Sequence, residues 1–259
     1  MEIKNTILNK KDKELLEEVK LKFGKIVSSD QLKEVFGKKY SNQEALKRIS
    51  FLSKVGWLLR IKRGLYVLIT DIRSLSLIDV SEYSITQRLN RDSYISFENS
   101  LQYYAMFNQM LKTISAVTYN RSRKYSFKNI EINFIKFKKS LYFGFKEYEF
   151  DVERVKIAEK EKAILDMLYI RNDDYTINLV WEIISNNKSE IDFKKLIEYT
   201  KQFNFTVIRK IGFLLDNLGI ESDELYNIIK SKRSYSRLTN DSLEFNAKWG
   251  LYIDNSLIG

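Results

Sequence analysis

The chain has 259 residues, enough for two or three units at roughly 100 to 200 residues per domain, and its 44% hydrophobic and 30% charged content is that of a globular protein. It contains no cysteine and no histidine, which excludes disulfides, thiolate nucleophiles, imidazole bases and zinc sites built on the usual ligands. The formal net charge is +10, and residues 38–63 hold eight basic side chains against the single Glu44, a density that draws a polyanion by releasing its counterions.

The first element is a helix with Leu15, Leu16, Val19 and Phe23 at helical spacing and Gly24 placed to end it. In SSDQLKEVFG, Ser28 and Gln31 have capping-box spacing, Leu32, Val35 and Phe36 form an apolar stripe, and Gly37 suits a C-terminal cap. A third helix starts at the capping box of Ser41 and Glu44 and buries Ala45, Ile49 and Leu52. Its opposite face carries Gln43, Lys47, Ser50 and Lys54, whose amides and cations suit phosphates and base edges better than a core.

After Gly56 the period changes from 3.6 to 2. In GWLLRIKRGLYVL, Leu59 and Ile61 are expected on one face and Arg60 and Lys62 on the other, with Arg63-Gly64 as the turn of a hairpin. Helices, a polar-faced third helix and a basic hairpin are the parts of a winged helix-turn-helix, in which that helix enters the major groove and the wing grips the backbone. The competing reading is a small helical domain whose lysines only keep it in solution; order, capping and charge together favour DNA binding.

Residues 73–170 read as an α+β module with an antiparallel sheet. TDIRSLSLIDVSEYSITQRL and SYISFENSLQYYAMFN carry helical stripes, the second through Phe97, Leu101 and Tyr104. Three strand-like runs follow, TISAVTYNRSRKYSF, NIEINFIKFKK and SLYFGFKEYEF, rich in β-branched and aromatic residues. VERVKIAEKEKAILDMLYI closes the module as a strand and a helix that buries Ala163, Ile164, Met167 and Leu168. Residues 171–259 are mostly helical, with a terminal strand in SLEFNAKWGLYID. The fold class is therefore α+β, with a winged helix over 1–72, the middle module over 73–170 and the helical part over 171–259.

A second basic patch comprises Arg121, Arg123, Lys124, Lys128, Lys136, Lys138 and Lys139, interleaved with Tyr119, Tyr125, Phe127, Phe134, Phe137, Tyr142, Phe143 and Phe145. This mixture could stack bases and track a backbone, making residues 119–150 an RNA-binding module. The alternative is a half-buried sheet with its aromatics toward the core and its lysines toward water, which is the commoner use of strand aromatics.

Signs of catalysis are few. An acid and a lysine two residues apart, as metal-dependent nucleases use, occur at Glu2/Lys4, Glu18/Lys20 and Asp192/Lys194, none on an expected sheet. The acids Asp151, Glu153, Glu159, Glu161 and Asp166 alternate with lysines as on a solvated helix face. No glycine-rich phosphate loop is present. The chain reads as non-enzymatic, needing no cofactor or metal. The N-terminal stretch lacks the apolar core of a signal peptide, and no run approaches the ~18 apolar residues of a membrane span, so a cytoplasmic location is expected.

The ordered series QEALKRISFLSKVGWLLRIKRGLYVL, YISFENSLQYYAMF, VKIAEKEKAILDMLYI, RKIGFLLDNLGI and KWGLYI resembles the AbiEi family of antitoxins from abortive-infection toxin–antitoxin operons. The chain departs from the family where relatives often place a proline before the glutamate of the helix at AEKEKAILDML; Ala158 or Lys160 stands there. The resemblance implies an N-terminal winged helix that represses its own operon by binding promoter repeats, and a remainder that counteracts a nucleotidyltransferase-like toxin, with or without touching it. Self-association on the operator fits such repeats. Carried onto this chain, the resemblance assigns DNA contacts to Gln43, Lys47, Arg48 and Lys54 in the helix and to Arg60, Lys62 and Arg63 in the wing. The charge pattern adds Lys38 and Lys39 as phosphate anchors, with Gln43, Lys47 and Arg48 placed to reach base edges.

Overall fold

A computed structural model of the chain describes residues 8–69, 80–150 and 153–254. Two compact units result, one made of Met1–Arg91 with Glu149–Arg154 and the other of Asp92–Tyr148 with Val155–Gly259.

In the first unit, α1 (Lys10–Phe23) starts where the Asn9 side chain accepts from the Asp12 N–H, and it stops at Gly24. The φ of 78° at Gly24 lies where a side chain would be strained. β1 (Ile26–Ser28) leads into α2 (Ser29–Phe36), and α3 (Asn42–Lys54) follows. Both capping boxes read from the sequence are formed, Ser28 with Gln31 and Ser41 with Glu44. β2 (Leu58–Lys62) and β3 (Leu65–Leu68) make the expected hairpin, and β1 adds to β3 to give the order β1-β3-β2. Leu15, Val19, Val27, Leu32, Val35, Phe36 and Leu52 pack as one core. Each buried large apolar side chain contributes about 1.5–3 kcal/mol, more than any surface ion pair nearby.

The hairpin departs from strict alternation. Its register slips between Arg60 and Lys62, so that Arg60 faces Tyr66 and Lys62 faces Leu65. The extra residue breaks the period of two, and Lys62 does not share the free position of Arg60. Next in the described chain comes α4 (Glu82–Leu89). The helical stripe read over TDIRSLSLI lies outside the described residues apart from its continuation in α4.

The second unit opens with β4 (Ser93–Ile95) and α5 (Phe97–Tyr103). The helix expected over SYISFENSLQYYAMFN is thus confined to its middle, because Ser93, Tyr94 and Ile95 are buried between two neighbouring strands. β5 (Thr113–Thr118), β6 (Arg123–Phe127), β7 (Ile130–Lys136), a short 3-10 turn (Lys139–Leu141), β8 (Phe145–Phe150) and β9 (Glu153–Ala158) follow. With β4 they form a six-stranded sheet in the order β6-β7-β5-β4-β9-β8. The expected antiparallel sheet is corrected here: β5/β7 and β4/β9 are parallel, while β4/β5 and β6/β7 are antiparallel. The chain skips one place to lay β6 at the edge, then returns between β6 and β5, so β7 repeats the direction of β5.

Helices make up most of the remainder: α6 (Lys160–Ile170), α7 (Asp174–Asn186), α8 (Phe193–Thr200), α9 (Phe205–Asn217) and α10 (Asp223–Ile229). The tail forms β10 (Ser236–Arg237), β11 (Glu244–Asn246) and β12 (Leu251–Ile253) in the order β10-β12-β11, a small sheet where one terminal strand was expected. A glycine inside a helix ordinarily costs about 1 kcal/mol against alanine. At Gly212 in α9 the choice is forced, because a Cβ there would lie 2.1 Å from two ring atoms of Trp249. That ring is buried, and its Nε1 donates to Asp216 Oδ2 at 2.8 Å. Gly212→Ala is expected to destabilise the second unit by about 3 kcal/mol, the upper range of overpacking, read as a lower urea midpoint; an unchanged midpoint would mean that the ring can retreat.

Candidate nucleic-acid interface

On α3 the stripe Ala45, Ile49 and Leu52 turns inward and leaves Gln43, Lys47, Ser50 and Lys54 exposed. Arg60 and Arg63 are exposed on the hairpin. Among the described residues nothing holds Gln43, Lys47, Lys54, Arg60 or Arg63 in a hydrogen bond or ion pair, so these five groups are available to a partner.

The other proposed contacts are engaged within the fold. Arg48 grips the buried carboxylate of Asp12, its Nε donating to Oδ1 at 2.8 Å and its terminal NH2 pairing with Oδ2, and its guanidinium lies 4.6 Å over the Phe51 ring. The bond to Asp12 raises the Arg48 pKa, a sign that the cation serves a buried partner. Lys62 Nζ donates to Leu89 O at 3.0 Å, where a cation suits the exposed carbonyls at the end of α4. Lys38 pairs with Glu18, and Lys39 with Glu14 at 3.0 Å, which lowers the Glu14 pKa. These last two pairs are solvent-exposed, so their strength is small and a phosphate could exchange into them.

The seven cations of the second patch are all exposed. Its aromatic residues are used differently from what base stacking needs. Phe127, Phe134 and Phe137 are buried, and Tyr125 sets its edge against Phe134. Tyr142 and Phe145 pack on each other and on Tyr94, and Tyr119 sets its edge against Tyr142. Aromatics inside and cations outside is the pattern of a half-buried sheet.

Sequence reasoning missed a polar cluster sealed in the second unit. α6 is buried along both sides from Glu161 to Leu168, so Lys162 and Asp166, one turn apart, form an ion pair with both side chains fully buried. Lys162 Nζ also donates to Tyr94 Oη at 2.7 Å, and Tyr94 Oη and Ser96 Oγ donate to Asp166 Oδ2 at 3.0 and 2.7 Å. The rings of Tyr94, Phe137, Phe143 and Phe203 surround the ammonium with centroids 5.0 to 5.4 Å away. Burial pushes the Lys162 pKa down and the Asp166 pKa up, and their mutual attraction opposes both shifts. Spacing i, i+4 was visible in the sequence; its burial was not.

Lys210 is a second sealed cation, donating to Asn172 Oδ1 at 2.5 Å and Arg171 O at 3.3 Å. Burial lowers its pKa to about 8, partly offset by Asp173. An unfolded lysine titrates near ~10.4, so between these values the unfolded state binds more protons and stability rises with pH; below about 8 both states are charged and that gain is absent. Comparing wild type with Lys210→Met by urea unfolding, we expect the wild type to gain about 2 kcal/mol relative to the variant between about pH 7 and pH 10. Parallel profiles would place the ammonium in contact with water.

Among the described residues no group of three or more acidic side chains is placed to hold a metal ion, and no helix is long and apolar enough to cross a membrane. No family model matches the chain, and no curated protein matches it in sequence. Among solved structures the chain is similar to the crystal structure of RV2827C protein from Mycobacterium tuberculosis, with a TM-score of 0.64 over 95% of this chain and 92% of that one. Identity between the two is 10%, so the likeness is one of α+β fold.

Proposed function

We propose that this chain is a cytoplasmic, non-enzymatic repressor of its own operon and an antitoxin of the AbiEi kind, opposing a nucleotidyltransferase-like toxin. In this reading the first unit is a winged helix with α3 as its recognition helix and β2–β3 as its wing. The observation that carries it is the division of cations on these two elements. Arg48 and Lys62 are tied into the fold, while Gln43, Lys47 and Lys54 on α3 and Arg60 and Arg63 on the hairpin stand exposed and unengaged. Locked neighbours hold the free groups in place, and groups so held bind phosphate without first paying to order the backbone.

Titrating the full chain against its own upstream duplex, a scrambled duplex and single-stranded RNA across a salt series tests the reading. Preference for the upstream duplex, with affinity falling steeply as salt rises, is the expected result; equal binding to both duplexes would refute operator recognition. In cells, Arg60→Ala with Arg63→Ala is expected to relieve repression while protection from the toxin persists. Loss of both together would refute the division of labour.

A further inference from the structure

The small C-terminal sheet has an inner face and an outer one. Leu238 and Leu251 are fully buried inward with Trp249. On the outer face the register places Arg237 beside Tyr252 and Phe245 on its other side, and Tyr235 and Leu243, just before β10 and β11, are also exposed. Tyr235 is 66% exposed and Phe245 55%, although each ring touches Tyr252, with centroids 5.5 and 5.2 Å apart. The Arg237 guanidinium lies 4.9 Å over the Tyr252 ring.

This exposure is built. Arg209, itself 2% exposed, reaches from α9 to bond Ser236 Oγ at 3.1 Å, Ser234 Oγ at 3.1 Å and the Ser234 carbonyl. Both neighbours of Tyr235 are thus tied to Arg209, and the ring between them stands exposed. The stretch KSKRSYSR over residues 230–237 carries Lys230, Lys232, Arg233 and Arg237 and no acid. Aromatic rings held in water beside a run of cations match single-stranded nucleic acid: every base has a face to stack, and the cations follow the phosphates. In the sheet around residues 119–150 Phe127, Phe134 and Phe137 are buried, and no described ring there is as exposed as Tyr235 or Phe245.

We propose that the outer face of the β10-β12-β11 sheet is a stacking platform for single-stranded nucleic acid, with the exposed Tyr235 and Phe245 taking bases and the exposed Lys232 and Arg233 taking phosphates, while Tyr252, half-buried under the Arg237 guanidinium that also donates to Ser242 O, backs the two rings. This surface lies in the second unit and is independent of the duplex-binding role given to α3 and the hairpin.

Fluorescence anisotropy of the full-length protein with labelled oligo-uridine and oligo-thymidine of about twelve nucleotides tests it. Both are expected to bind, and a preference for uridine would assign a role to the 2′-hydroxyl. Base–aromatic stacking predicts that Tyr235→Ala with Phe245→Ala weakens binding by roughly 30-fold or more, whereas Tyr235→Phe stays within about threefold. Lys232→Ala with Arg233→Ala is expected to reduce the salt slope by about 1.4. Absence of binding by the wild type, or equal binding by the double alanine variant, overturns the proposal. So does loss of oligonucleotide binding through Arg60→Ala and Arg63→Ala with none through Tyr235→Ala and Phe245→Ala, which would assign the strand to the hairpin. If the same two rings prove necessary for capturing a purified toxin while neither oligonucleotide binds, the face is a protein interface and the proposal fails.

Discussion

Asp166→Ala is expected to lower the stability of the second unit by about 3–5 kcal/mol, because it strands the buried Lys162 ammonium without its counter-charge. The replacement also removes the acceptor that Tyr94 and Ser96 share. Urea unfolding followed by fluorescence should show a markedly lower midpoint. Pairing Lys162→Met with Asp166→Leu should recover the part of the loss due to the stranded charge, while Tyr94 and Ser96 still lack their shared acceptor. If the single and double variants are equally destabilised, the damage is in packing and not in charge, and the electrostatic account fails.

The second large effect concerns the first unit. On the repressor reading proposed above, replacing Lys47, Arg60 and Arg63 together by alanine is expected to weaken binding to the upstream duplex by about 100-fold at physiological salt and to reduce the salt slope by about 2.7, at 0.9 per lost phosphate contact. Gln43→Ala should instead relax base preference, by about 1–3 kcal/mol at one position. Arg48→Ala provides the contrast. Because Arg48 neutralises buried Asp12, its loss should lower the unfolding midpoint and leave the salt slope nearly unchanged. A slope reduced as much by Arg48→Ala as by the surface variants would show that Arg48 leaves Asp12 for DNA.

Local signals survived best between sequence and structure. Ser28 with Gln31, Ser41 with Glu44 and the stop at Gly24 all act within one turn of chain, and each forms as read. The hairpin was legible from its period, yet the slip between Arg60 and Lys62 was not, since one bulged residue leaves composition unchanged and reverses the faces beyond it. What Arg48 does depends on Asp12, a partner thirty-six residues away that looks like any polar residue on an amphipathic helix. The alternation of lysine and glutamate in α6 suggested water on one side. Tertiary packing overrode that reading, because the sheet and α8 and α9 cover the helix where Lys162 and Asp166 lie. Parallel pairing of β5 with β7 likewise depends on which gap a returning strand fills, a choice that no local pattern encodes. The outer face of the small sheet was hidden because its strands run only two or three residues each, too short to display a period.

The C-terminal end of α4 is fastened at several points within the first unit. Lys62 holds Leu89 O, while Arg88 donates to Ile26 O at 2.7 Å and pairs with Glu153 at 3.3 Å. The hairpin, β1 and α4 are thereby braced against one another before any ligand arrives. A surface preassembled in this way buries little new apolar area on binding, so isothermal calorimetry of the duplex association proposed above should register a small negative heat-capacity change, well short of the signature of coupled folding.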